Sequence, residues 1–269
     1  MKTIINSCKR TYGFRVSIAL ITCLLFLIFP SCQKDESEHD YLMSPLASSN
    51  KGKPTATIGK VKDVDGNWYK TVKIGEQWWM AENLKTTKYN DRTPIPFVDD
   101  NSIWSETRTP AYCWYDNDET TYKDTYGALY KWYTVNTGKL CPKGWHVPSD
   151  DEWKILEMYL GMTQEQADAE GLRGTPAGGK LKEVGIIHWE SPNKGATNET
   201  GFTALPGGDH EANGIFSGIH GGCCMWSSTD FPSSQSSAWQ RFLGFGDAGI
   251  IRDHPDVADG LSVRCLMDK

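Results

Sequence analysis

The sequence has no basic stripe. Lys and Arg together number 28 against 34 Asp and Glu, a formal charge of -6. That excludes a nucleic-acid backbone as the expected partner, because nothing clusters to neutralise phosphates. Its six histidines and eight cysteines form no His-x-x-x-His, no His-Glu-x-x-His and no Cys-x-x-Cys, so no closed zinc site is expected. A Gly-x-Ser-x-Gly nucleophile elbow and a Walker loop are also missing. The one Gly-x-Gly-x-x-Gly, at residues 244–249, lies in hairpin-rich sequence without a βαβ unit and reads as a turn. The apolar run at residues 16–30 is too short to span a bilayer comfortably.

What is present in quantity is tryptophan (11) and glycine (26), a composition of short strands and aromatic packing, not of long helices. Lys2, Lys9, Arg10 and Arg15 precede the apolar run, which ends Phe29-Pro30-Ser31-Cys32. Residues 1–31 resemble a bacterial lipoprotein signal peptide of the Bacteroidetes type, departing from it at the bulky Phe29 and at Pro30. An ordinary cleaved signal is the alternative. Cys32 is then the lipidation site, and its acyl chains imply membrane attachment in the outer membrane, at the cell surface. Gln33-Lys34-Asp35-Glu36-Ser37-Glu38 resembles a surface-export tag and reads equally as a solvated tether. Residues 32–56, polar and without periodicity, are expected to be a flexible linker.

Folded sequence, residues 57–269, opens with a hairpin pattern around Asp65-Gly66, where a tight primed turn is expected. Gln77-Trp78-Trp79-Met80 and Tyr112-Cys113-Trp114-Tyr115 read as strands, residues 85–110 as a long loop, and residues 126–133 as a short aromatic helix. The central stretch is Cys141-Pro142-Lys143-Gly144-Trp145-His146-Val147-Pro148-Ser149-Asp150-Asp151-Glu152-Trp153. It spells a strand, a proline stop, a cap at Ser149 or Asp150 and a helix that runs through Leu156 and Leu160 to Gly161. Its expected partner is the alternating strand Leu261-Ser262-Val263-Arg264-Cys265.

These residues, with Trp79-Met80-Ala81-Glu82-Asn83-Leu84, Tyr126-Gly127-Ala128-Leu129-Tyr130, Gly201-Phe202-Thr203-Ala204-Leu205-Pro206-Gly207-Gly208 and Trp226-Ser227-Ser228-Thr229, resemble the Fibrobacter succinogenes major paralogous domain family over residues 57–269. The helix start and the terminal Val-Arg-Cys are more distantly similar to the sulfatase-modifying, formylglycine-generating group. The resemblance implies an α+β, C-type-lectin-like domain with short twisted antiparallel sheets, one main helix after Pro148 and long irregular loops. It attaches no firm activity.

Cys141 and Cys265 are the disulfide candidates, one beside the central strand and one on the last. Cys113 with Cys223 or Cys224 is a second possible bridge. A formylglycine-generating enzyme needs a spaced reactive cysteine pair that the adjacent Cys223-Cys224 lacks, so no enzyme is expected. Residues 116–124 read as a solvated acidic loop. A calcium site there is the alternative, although the sixth position is Thr121 and the last is Gly127. No other cofactor is expected. The lectin calcium signatures Glu-Pro-Asn and Trp-Asn-Asp are absent. Ligand-binding candidates lie in the loops: Trp104, Trp189, Asp209, Glu211, Asn213 and Trp239, since sugar faces stack on exposed indoles and hydroxyls need paired donors and acceptors. The expected function is a non-catalytic binding or adhesion module for glycan or protein; the alternatives are a structural envelope component and, behind it, a divergent formylglycine-generating-type enzyme.

Overall fold

The computed structural model describes residues 58–269. The expectations for the signal peptide, Cys32 and the linker lie outside these residues. In chain order the described elements are β1 (Ile58–Lys62), β2 (Trp68–Ile74), β3 (Gln77–Met80), α1 (Asn101–Glu106), β4 (Tyr112–Cys113), a 3-10 turn (Tyr115–Asn117), α2 (Glu119–Tyr126), β5 (Leu129–Lys131), α3 (Trp132–Val135) and β6 (Trp145–His146). They continue as α4 (Asp150–Tyr159), α5 (Gln164–Asp168), β7 (Gly171–Arg173), α6 (Ala177–Leu181), β8 (Gly207–His210), β9 (Phe216–Ile219), β10 (Gly222–Asp230), β11 (Ala238–Gly244), β12 (Ile250–Asp253), β13 (Gly260–Leu261) and β14 (Leu266–Met267). The class is α+β.

The first hairpin forms, but not on a two-residue turn. Five residues separate β1 from β2, because the Asp63 carboxylate organises them. Its Oδ1 accepts the Asn67 amide at 2.9 Å and its Oδ2 accepts the Tyr69 hydroxyl at 2.6 Å. Gly66 takes φ +95°, a left-handed backbone suited to glycine. β2 alternates, with Trp68 and Lys70 exposed and Tyr69 and Thr71 buried, the mark of a strand with one covered face.

Two sheets result. The smaller runs β1-β2-β3-β14-β6; the larger runs β4-β5-β13-β8-β10-β11-β12-β7 with β9 on β8. The larger sheet is not wholly antiparallel as expected, since β8 and β10 pair parallel at Gly208 and Cys223. The single strand expected near the C-terminus is also divided. Gly260–Leu261 joins the larger sheet and Leu266–Met267 the smaller, while the carbonyls of Val263 and Cys265 accept the amides of Leu84 and Met80. Cys141 and Cys265 form the expected disulfide, with Cα atoms 6.0 Å apart. The second bridge does not form.

α4 is the main helix, starting after Pro148 as expected. Ser149 and Glu152 make a full capping box, and three acidic residues occupy its first turn. Trp153 and Leu156 pack with Trp79, Phe202 and Leu266 in one core cluster, and Trp79 and Trp153 have ring centroids 4.7 Å apart. Tyr69, Met80, Trp132, Trp226 and Val263 fill another cluster.

Between α4 and β11–β12 lies a buried ionic network. The Arg241 Nε donates to Glu157 Oε1 at 2.6 Å and its Nη1 to Asp150 Oδ1 at 2.7 Å. Arg252 donates to both oxygens of Asp150, and Arg173 Nη2 to Glu157 Oε2 at 2.7 Å. Burial opposes ionisation of Asp150, yet the Arg252 and Arg241 guanidiniums hold its carboxyl well below the usual range.

Residues 126–133 are not one helix. Leu129–Lys131 is drawn into a strand by pairing with β4 and β13, leaving one helical turn after it. The acidic loop is likewise a turn followed by α2, whose start is capped by Asp118 accepting from the Thr121 amide at 3.1 Å. Gly127, at φ +73°, sits where a Cβ would lie 2.7 Å from the Leu84 carbonyl oxygen. Only glycine fits there without displacing the backbone.

At the start of α4, His146 Nε2 lies 3.0 Å from Glu152 Oε1 and its Nδ1 lies 2.6 Å from Asp268 Oδ1. The Glu152 bond, reinforced by Asp268, raises His146 to about 9 against an ordinary 6.5. Glu152 falls to about 2 from 4.5: burial opposes ionisation, but the bonds from His146 and Ser149 outweigh it. The raised histidine stabilises fully below pH 6.5, and that contribution is lost as pH rises through 9. The lowered acid stabilises above pH 4.5, and its contribution is lost as pH falls towards 2. The contribution of this pair to the thermal midpoint is therefore expected to be full between pH 4.5 and 6.5 and to decline from 6.5 to 9, read as the difference between the protein and its His146→Gln variant. His146→Gln should flatten the alkaline decline; an unchanged slope in the variant would refute the assignment.

Candidate functional site

The register of β1 on β2 sets Lys62 opposite Trp68, Lys60 opposite Lys70, and Ile58 opposite Val72. Cross-strand partners share a face, so this face carries Ile58, Lys60, Lys62, Trp68 and Lys70 at one end. Further along, Val72 and Trp79 of the same face are covered by the α4 core. Where that cover stops, a cleft of about 460 Å³ opens, with Trp68 at 54% exposure and Lys70 on the sheet side. Its other walls come from the segment after β3 (Glu82, Asn83, Lys85), the end of α2 (Asp124), and the loops carrying Glu183, His188 and Thr203.

The motif residues build this cleft. Asn83 is buried, donating to the Tyr126 carbonyl at 2.8 Å and accepting from Arg264 Nε at 2.8 Å. Arg264 also donates to the carbonyls of Phe202 and Thr203, pinning the 201–205 wall. Burial lowers its guanidinium to about 10. Glu82 Oε2 accepts the Lys70 amide at 2.5 Å, Lys85 Nζ pairs with Asp124 at 2.9 Å, and His188 Nδ1 lies 2.9 Å from Glu183. The Lys85 ammonium holds the Asp124 carboxyl below its ordinary value.

The six ligand-binding candidates from the sequence do not converge. Trp104 is fully buried, stacked on His210 at 4.3 Å with Lys131 Nζ 3.9 Å above its ring. Trp189 is buried and donates Nε1 to the Ala204 carbonyl at 3.0 Å. Trp239 is buried under the Arg252 guanidinium, 3.4 Å from its ring. None of the three offers the open face that stacking on a sugar requires, a correction to the expectation. Large indoles stabilise most when covered, and the core closes over all three, Trp104 in α1, Trp189 in a loop and Trp239 in β11. Asp209 and Glu211 are buried as well, accepting from Ser217 Oγ and Asn213 Nδ2. Asn213 alone is exposed. The indole that does line a cleft is Trp68, which the hairpin pattern left looking like any other strand residue.

Of the carboxylates at residues 116–124, Asp118 caps α2, Glu119 pairs with Lys123 and Asp124 pairs with Lys85. Among the described residues no group of three or more His, Cys, Asp or Glu is placed to hold a metal ion. Cys113 Sγ lies 3.2 Å from His210 Nδ1. Burial pushes that thiol up and lowers His210 to about 3, so the pair is neutral. Cys223 and Cys224 occupy successive positions of β10 and point into different core clusters.

No helix among the described residues is long and apolar enough to cross a membrane. Neither the curated proteins nor the solved structures contain a match to this chain. The model of the Fibrobacter succinogenes major domain matches residues 72–267, a span holding the Asn83–Arg264 link, the capped α4 and the disulfide, and the chain therefore belongs to that family.

Proposed function

We propose that this protein is a non-catalytic binding module of C-type-lectin-like architecture that takes a glycan in the Trp68 cleft. In this reading it is carried at the cell surface by a lipid anchor on Cys32 and the tether of residues 33–56. The observation that carries the proposal is the exposed indole of Trp68 at a cleft of about 460 Å³. An indole face stacks on the apolar face of a pyranose, and Thr203, Glu82 and Lys70 supply acceptors and donors for hydroxyls.

A protein ligand is the second reading. It is favoured by Val184, Ile186 and Ile187, exposed on the loop between Glu183 and His188, with Ile187 at 84%. Glycan arrays and titration calorimetry with the full chain separate the two. Trp68→Ala is expected to weaken glycan binding about tenfold, roughly 1.4 kcal/mol, while Ile187→Asp leaves it unchanged. Silence across the array, with a protein partner lost on Ile187→Asp, would replace the glycan reading by the second.

A further inference from the structure

We infer that the saccharide taken by the Trp68 cleft is anionic, bearing carboxylate or sulfate groups; this rests on the glycan reading above. The sheet face that carries Trp68 also carries three lysines. Lys60 Nζ lies 4.6 Å and Lys62 Nζ 5.5 Å from the indole centroid. Lys70 stands directly opposite Lys60 across the strand pair and lines the cleft. Like charges placed directly opposite one another are destabilising, and among the described residues none of the three has a carboxylate within ion-pair distance.

The carboxylates lining the same cleft each have a partner within it. Glu82 is held by the Lys70 amide, Asp124 by Lys85 and Glu183 by His188. Among the described residues the Trp68 ring thus carries Lys60 and Lys62 in cation–π contact, with Lys70 beside them on the cleft side, and no carboxylate pairs with any of the three. An anion brought to that ring relieves their repulsion and gains charge-assisted hydrogen bonds. The indole restricts which anion fits. A sugar ring presents a flat apolar face to stack while its acidic substituent reaches the lysines, whereas a bare polyanion makes no use of the ring.

Calorimetry on the full chain tests this with polygalacturonate and its carboxyl-reduced, neutral counterpart, and with a sulfated glycosaminoglycan. The acidic polymers are expected to bind at least about tenfold more tightly than the neutral one. Raising salt from roughly 50 to 200 mM should weaken only the acidic binding, as screening shortens the reach of the lysines. The triple variant Lys60→Gln, Lys62→Gln, Lys70→Gln should erase the preference with a thermal midpoint no lower than before, because these side chains are solvent-facing and their mutual repulsion is removed. Trp68→Ala should weaken acidic and neutral binding alike. Equal binding of acidic and neutral polymers, or a triple variant that keeps the preference, overturns the inference while the glycan reading stands. Failure of every glycan to bind removes both. Binding of acidic peptides or anionic vesicles that survives Trp68→Ala also overturns it, since the lysines would then act without the ring.

Discussion

Glu157→Gln is expected to lower unfolding stability by about 3–5 kcal/mol, the usual cost of removing one partner from a buried charge pair. The substitution keeps the volume, so no cavity contributes. What it removes is the charge facing both Arg241, at 2.6 Å, and Arg173, at 2.7 Å. The amide keeps one acceptor oxygen and turns an NH2 group toward the other arginine; Arg241 still has Asp150, but Arg173 has no other carboxylate and otherwise donates only to backbone carbonyls. Burial already lowers Arg173 to about 10, a measure of how poorly the site hydrates a cation. Urea denaturation should show the midpoint falling with little change in slope, and the thermal midpoint dropping by roughly 10–15 °C for a domain of this size. Ile155→Ala on the exposed side of the same helix should stay within about 0.5 kcal/mol. A loss below 1 kcal/mol for Glu157→Gln would mean that water enters the network and compensates it.

The paired substitution Cys141→Ser and Cys265→Ser is expected to cost about 4–5 kcal/mol, from the chain-entropy value for a closed loop of 124 residues. The effect acts through the unfolded chain, so the folded variant should keep its near-ultraviolet circular dichroism under native conditions. Reduction of the unsubstituted protein should reproduce the same destabilisation. A variant that loses its tertiary signal in buffer would instead show the bridge holding native geometry together.

The sequence revealed α4 because its evidence is local: a capping box at Ser149 and Glu152 and apolar residues at helical spacing. The first hairpin was legible for the same reason, and the disulfide because its two cysteines flank the two strands expected to pair. Helices α1 and α2 were not, being short and mostly polar, and the caps Asp100 and Asp118 alone carried little weight against proline-rich or acidic surroundings. The division of residues 260–267 between two sheets was also hidden. Leu261 to Cys265 alternates without a break, and alternation tells which face a residue takes but not which sheet it joins. The candidate tryptophans failed for a related cause. Residue type does not separate a core indole from a ligand-facing one; only the point where the α4 cover ends does, and that is a property of the assembled layers. The ionic network was foreshadowed by Glu157 on the apolar stripe and by Arg241 inside an aromatic strand, but its partners lie 84 and 91 residues apart.

β14 sits inside the smaller sheet, with Leu266 paired to Trp79 on one side and His146 on the other. A chain emerging from a ribosome in sequence order delivers that strand after every other element, so the sheet closes in one late event and β3 and β6 wait with open edges. Chains that stop before Leu266 keep those edges permanently, and exposed edges template aggregation. Chains that stop before β14 should therefore yield insoluble or rapidly degraded material, not partly active domains, so that solubility reports whether β14 has been made.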